Sequence, residues 1–201
     1  MKTGGAHIFS WPIRHPELVE GSVPLFAWAM TPGRVLLTQT QIRARVQQLG
    51  KSLTRHYRGK RPIFLGVMNG ALFFLADLVR AIDLDETEIS CVRLASYAGT
   101  NSTGKILGLD ALDDSIAGRH VLIVDDILDT GRTLSALVAR LKKLGAADVK
   151  ICVLLQKRGK QEVPLHANWI GFKIPNHFVV GYGLDYDGRY RGLKQVRILT
   201  D

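Results

Sequence analysis

Along residues 38–57 the apolar positions Ile42, Val46, Leu49, Leu53 and Tyr57 recur at intervals of 4, 3, 4 and 4, while Arg43, Arg45, Lys51 and Arg55 occupy the other faces. That is the period of an amphipathic helix. Thr38 with Gln41 three residues later is a capping-box signature, so the helix is predicted to open at Thr38. An apolar run of strand length follows at 62–68, broken by Asn69-Gly70. A second helix is predicted from there to about Ile82, and because it is apolar nearly all round it is expected to be buried. Residues 87–95 and 105–112 read as strands around a polar, glycine-containing loop at 96–104.

Val121-Leu122-Ile123-Val124 carries the continuous apolar signal of a strand buried on both faces. After a polar turn, Leu134, Leu137, Val138, Leu141 and Leu144 mark a helix, with Lys142 and Lys143 in its last turn and Gly145 just beyond. Residues 149–155 form another buried strand, and 169–174 and 178–184 read as short strands. Strand and helix alternate, which predicts an α/β fold with a mainly parallel sheet.

Residues 1–29 break this regularity. Trp11-Pro12, His15-Pro16, Val23-Pro24 and several glycines interrupt every helical period, and no alternating run survives. The segment also lacks the apolar stretch of roughly 7–15 residues that a secretory signal uses. It is read as a loosely attached extension to a domain at 30–201, with Met30 a candidate start codon.

The 201-residue length suits one domain, and 46% hydrophobic with 22% charged residues excludes wholesale disorder. No run of eighteen apolar residues predicts a membrane span. The net charge of +9 favours an anionic partner, whether nucleic acid, membrane surface or phosphorylated small molecule. Cys91 and Cys152 both lie in apolar runs and are expected to be buried, reduced thiols in a cytoplasmic protein. Neither they nor the six histidines show metal-ligand spacing.

Ligands of open parallel sheets bind beyond the carboxyl ends of the strands. The candidate site is therefore the turn Asp125-Asp126-Ile127-Leu128-Asp129-Thr130-Gly131-Arg132-Thr133. Thr130, Gly131 and Thr133 fall where the next helix begins, and its unpaired N–H groups and their hydroxyls make a phosphate cradle. Three carboxylates beside it would repel a phosphate unless a divalent cation or sugar hydroxyls intervened, which points to a ligand carrying both phosphate and diol, with Mg²⁺. The plainer alternative is two solvated strand-end aspartates followed by an N-cap. The Thr-Gly-Arg-Thr continuation favours the ligand site.

The segment from Val121 to Thr133 resembles the 5-phosphoribosyl-1-diphosphate (PRPP) motif of the phosphoribosyltransferases. Gly66-Val67-Met68-Asn69-Gly70 is similar to their diphosphate-binding loop, and Ser96-Tyr97 with Ser102-Thr103-Gly104 to their mobile lid. Lys157-Arg158, the run from Phe178 to Tyr186, and Arg191 resemble the purine pocket of the 6-oxopurine branch, the hypoxanthine-guanine phosphoribosyltransferases. The resemblance covers about residues 33–200. Two departures stand out: many relatives have Glu-Asp in place of Asp125-Asp126, and the position of Arg132 varies among them.

The resemblance implies the type I phosphoribosyltransferase fold, a mainly parallel sheet flanked by helices under a small hood built from the chain termini. It also implies purine salvage, the transfer of 5-phosphoribosyl from PRPP to N9 of hypoxanthine or guanine. Asp129 would be the catalytic acid–base near purine N7. Asp125, Asp126, Thr130, Gly131, Arg132, Thr133, Asn69, Gly70, Ser96, Tyr97 and Arg191 would hold PRPP. Lys157 would donate to the base's O6, because an ammonium selects a carbonyl over an amino group. Phe178 would stack on the base, and Val179 and Asp185 would meet its edge. Asp125, Asp126 and Asp185 are the implied Mg²⁺ residues, and the peptide before Asn69 is often cis in the family. The resemblance further implies a cytoplasmic homodimer or homotetramer without nucleic-acid or membrane partners. Two rivals remain at this level: a PRPP- or nucleotide-sensing regulator on the same fold, in which the purine-pocket residues would be idle, and a xanthine-preferring enzyme.

Overall fold

The computed structural model describes residues 30–96 and 106–200. The chain runs β1 (Thr31–Leu37), α1 (Gln39–Tyr57), β2 (Ile63–Met68), α2 (Leu72–Arg80), β3 (Glu88–Arg93), β4 (Ala95–Ser96) and β5 (Ile106–Leu107). Two 3₁₀ turns, Leu109–Ala111 and Asp114–Ile116, lead into β6 (His120–Leu128), α3 (Arg132–Lys143), β7 (Asp148–Lys157), β8 (Trp169–Ile174), β9 (Val179–Val180) and β10 (Val196–Thr200). The described helices include none long and apolar enough to cross a membrane. The extension at 1–29 lies outside the described residues.

Five parallel strands in the order β3-β2-β6-β7-β8 form the central sheet. Side chains alternate across it, as the period of two demands. Phe64, Leu122, Val124, Cys152 and Leu154 point to one face and pack under α1 and α2, which supply Ile42, Val46, Leu49, Leu53, Tyr57, Phe74, Leu75 and Leu78. Ile63, Leu65, Val67, Val121, Ile123, Ile151 and Val153 point to the other, where α3 lays down Leu134, Leu137 and Leu141. Each fully buried aliphatic side chain contributes roughly 1.5–3 kcal/mol, so both layers are held mainly by these stripes.

The helix signals read from sequence correspond closely to the structure. The five residues of the α1 stripe are all buried, and the Thr38–Gln41 capping box is formed in both directions. Other expectations need correction. α2 is not buried all round: Leu72 and Phe73 are 51% and 40% exposed, because the helix turns only Phe74, Leu75 and Leu78 into the core. The strand expected at 105–112 ends after Leu107, where Gly108 at φ 94° turns the chain into the first 3₁₀ turn. The strand expected at 178–184 shrinks to Val179–Val180, since Gly181 at φ 98° leaves the extended region. Cys91 is exposed, because β3 is an edge strand. Cys152 is buried, and that burial pushes its thiol pKa up.

A smaller antiparallel sheet, β1-β10-β9, joins the two ends of the described chain into a hood, with Val35 opposite Arg197 and Val179 opposite Ile198. β1 and β10 carry no clear alternating pattern in the sequence, and neither was anticipated. The hood delivers Phe178, Val179, Asp185 and Arg191 toward the carboxyl ends of β2, β6 and β7, which are neighbours in the main sheet.

Candidate active site

Three adjacent strand ends build the floor. β6 does not stop at Val124 but continues through Asp125 and Asp126 to Leu128, so both aspartates sit in the strand rather than the turn. Asp125 is buried, and its Oδ1 accepts from the Asp126 N–H at 2.9 Å. Burial, reinforced by the charge of Asp126, holds the Asp125 carboxyl well above the usual carboxylate range. Burial also raises Asp126, opposed by hydrogen bonding with Asp125 and by the charge of Arg191.

The β6–β7 register pairs Leu128 with Gln156, which brings the next residues, Asp129 and Lys157, alongside each other. Lys157 Nζ donates to Asp129 Oδ2 at 2.9 Å, with the lysine side chain 12% exposed and the aspartate 40%. Asp129 Oδ1 is buried and has no hydrogen-bond partner among the described residues.

Two recesses meet at this carboxylate. One, of about 230 Å³, is lined by Asp126, Ile127, Asp129, Lys157, Phe178, Val179, Leu184 and Asp185. Phe178 is 51% exposed and not part of the core, and it meets Tyr186 edge-on at 5.8 Å. An exposed ring beside a nearly buried ammonium suits a flat ligand carrying a carbonyl. The other recess, of about 140 Å³, is lined by Asp125, Ile127, Leu128, Asp129, Thr130, Gly131, Thr133 and Leu134. Gly131 caps α3 at φ 83°, a conformation that turns the strand sharply into the helix, and Gly131, Thr133 and Leu134 at the helix start line this recess. A helix start of this kind suits an anion.

Beyond β2, the Met68–Asn69 peptide is cis. Gly70 lies so close to Asp126 that a Cβ on it would fall 2.0 Å from Oδ2, so no larger residue fits against that carboxylate unless it moves. From the hood, Arg191 pairs with Asp185 Oδ1 at 2.7 Å, and Asp185 Oδ2 accepts from the Gly188 N–H at 2.7 Å.

Most of the residues singled out from sequence are thus brought together. Arg132 differs: its guanidinium pairs with Glu162 at 2.7 Å, is 72% exposed and lines neither recess, so only its backbone stands at the helix start. Ser96 ends β4, and Tyr97 lies outside the described residues, as do Ser102, Thr103 and Gly104. Ile127 and Leu184 also line the first recess; both lie in segments singled out from the sequence, the turn and the run from Phe178 to Tyr186, but neither was given a role of its own.

The family model for the phosphoribosyl transferase domain matches residues 35–187. The hypoxanthine-guanine phosphoribosyltransferase of Bacillus subtilis (strain 168) is 40% identical over 167 residues, spanning 83% of this chain and 92% of that protein. The chain belongs to the hypoxanthine-guanine phosphoribosyltransferase family. A hypoxanthine phosphoribosyltransferase structure from Staphylococcus aureus superposes on this chain with a TM-score of 0.79 at 37% identity, covering 84% of this chain and 92% of that one. The bifunctional protein TilS/HprT of Listeria innocua is 42% identical over 167 residues, and the chain spans only 26% of that relative's length. The type I phosphoribosyltransferase fold expected from the motif is therefore the fold observed, with a five-stranded parallel sheet between helices.

Proposed function

We propose that the chain transfers the 5-phosphoribosyl group of PRPP to N9 of a 6-oxopurine, hypoxanthine or guanine, releasing diphosphate. The observation that carries this reading is the meeting of a flat, lysine-bearing recess and a helix-start phosphate recess at one carboxylate, Asp129. A nucleotide has the same layout, with its base and 5′-phosphate on opposite sides of the ribose.

Each residue then has a task. The amides and hydroxyls of Thr130, Gly131 and Thr133 hold the 5-phosphate, with the α3 dipole favouring its charge. Lys157 donates to O6 and Phe178 covers the ring. Lys157 is shared between Asp129 and the incoming O6, so base binding redirects its protons and leaves Asp129 to take a purine proton as N9 attacks C1 of the ribose. Asn69 and Gly70 on one side and Arg191 on the other receive the departing diphosphate, whose growing charge the guanidinium stabilises.

Among the described residues, no group of three or more His, Cys, Asp or Glu side chains could hold a metal by itself. Mg²⁺ fits all the same, because it is bound through one or two carboxylates plus substrate oxygens rather than an all-protein cage. Asp125 and Asp126 are the residues to hold it, their buried charges being favoured by a cation, whereas Asp185 is engaged with Arg191 and the Gly188 N–H. Bound there, the ion neutralises charge on the ribose diphosphate. A cytoplasmic setting and a homodimeric or homotetrameric state belong to the same proposal.

A steady-state assay with PRPP, Mg²⁺ and each of hypoxanthine, guanine, xanthine and adenine tests the reading. Turnover with the first two and none with adenine is expected. Tight PRPP binding without turnover on any base would identify a regulator, and turnover confined to xanthine would reassign the substrate.

A further inference from the structure

Among the described residues, the hood meets the α2 side of the molecule at Gly70 and at the helix itself, and only the first lies at the proposed diphosphate site. At the first, Gly183 packs against the carbonyl of Gly70 so closely that a Cβ would fall 2.0 Å from that oxygen. At the second, the Tyr182 hydroxyl donates to Asp77 Oδ2 at 2.6 Å, across 105 residues of sequence. Asp77 lies within α2 (Leu72–Arg80), the helix that follows directly from the Asn69-Gly70 loop. Tyr182 and Gly183 belong in turn to the stretch that presents Arg191. Tyr182 N–H donates to the Leu193 carbonyl at 2.7 Å and Gly183 N–H to the Arg191 carbonyl at 3.0 Å. The Arg191 guanidinium donates back to the Gly183 carbonyl at 2.6 Å.

Residues 182–193 therefore carry Arg191 on a cross-linked turn. A turn that met the α2 side only at Gly183 and Gly70 would be able to pivot about that contact. The contact with the helix itself, at Asp77 and Phe73, removes the pivot. The buried tyrosine ring packs near Phe73, with centroids 6.4 Å apart, and a phenylalanine would serve that packing equally. The hydroxyl is the part that packing does not explain. Burial and the neighbouring carboxylate push its pKa up, so it remains a donor throughout the working range.

We propose that Tyr182 and Asp77 are positioning residues whose hydrogen bond sets the spacing between the Asn69-Gly70 loop and Arg191, and so tunes affinity for the diphosphate end of PRPP. The inference rests on the transferase reading above. The base recess takes nothing from α2, and only Leu184 and Asp185 of the turn reach it, so the effect falls first on PRPP and more weakly on the purine.

The test is the affinity for PRPP with Mg²⁺, measured by calorimetry, beside the KM for hypoxanthine and the Tm of each variant. Tyr182→Phe and Asp77→Ala should each weaken PRPP binding about tenfold, the order expected for losing a hydrogen bond to a charged group. The KM for hypoxanthine should rise by less than the PRPP affinity falls, and the Tm should drop only modestly, by what the lost bond contributes to stability. Asp77→Asn keeps an accepting oxygen and should restore most of the affinity. The double variant should be no worse than either single one, because both remove the same bond. Parent-like PRPP binding by Tyr182→Phe overturns the inference, as does an equal loss for PRPP and hypoxanthine. A parent protein that binds no PRPP removes the transferase reading and this inference with it.

Discussion

Replacing Asp129 by asparagine isolates the chemical step. The substitution keeps shape and leaves an amide able to hydrogen-bond toward N7, but it removes both the negative charge and the capacity to take a proton. General acid–base groups typically contribute about 10²–10⁴-fold, which is about 3–5 kcal/mol of barrier. The turnover rate should fall by that order. Binding should change much less, because the phosphate recess takes its polar contacts from the start of α3 and needs Asp129 only as a wall. Stability is affected at one place, the Lys157–Asp129 pair at 2.9 Å. Asp129 is 40% exposed, so solvent screens the pair and its loss is worth no more than about 1 kcal/mol. The folded fraction at assay temperature should be unchanged. The assay is single-turnover formation of the nucleotide at saturating PRPP and Mg²⁺, which bypasses product release where that limits kcat. A single-turnover rate within twofold of the parent would remove Asp129 from the acid–base role.

Three further outcomes follow from the same geometry. Lys157→Ala should raise KM for hypoxanthine and guanine while leaving PRPP affinity nearly unchanged, and equal losses for both substrates would point to a folding defect. Asp125→Asn should raise the Tm at neutral pH in metal-free buffer. The folded-state pKa of Asp125 is lifted above its ordinary value of 3.8, first by burial and then by Asp126, so the native protein holds its proton more tightly than the unfolded chain. Its contribution is therefore fully present below about pH 3.8 and lost as pH rises through the lifted value. The gain from Asp125→Asn should accordingly vanish toward pH 4, and a gain independent of pH would show that the buried charge is not its source. A chain begun at Met30 should keep its activity and thermal stability, because every residue assigned to the site lies beyond that point; a marked loss of either would make residues 1–29 integral.

Local periodicity and the strand–turn–helix signature made the site's scaffold legible in the sequence. The stripe from Ile42 to Tyr57, its Thr38 cap and the leucines of α3 each follow one helical period, and burial follows the same period in the structure. Asp125 to Thr133 is a continuous segment, so its composition and order are visible without tertiary knowledge. What escaped depends on partners distant in sequence. β1 and β10 pair across the whole described chain, and neither alternates strongly enough to declare itself alone. The exposure of Cys91, Leu72 and Phe73 depends on which strand is an edge and which helix side turns into the core. Arg132 stands inside the recognised motif, yet Glu162, thirty residues on, draws its side chain away. The Tyr182–Asp77 bond likewise has no local signal.

A crystal structure of the protein with bound IMP tests most directly the claim that the two recesses meeting at Asp129 serve one nucleotide. The 5′-phosphate should lie on the amides and hydroxyls of residues 130–133, with O6 within hydrogen-bonding distance of Lys157 Nζ, N7 facing Asp129 and Phe178 over the ring. A phosphate seated elsewhere, or a base turned away from Lys157, would contradict the account.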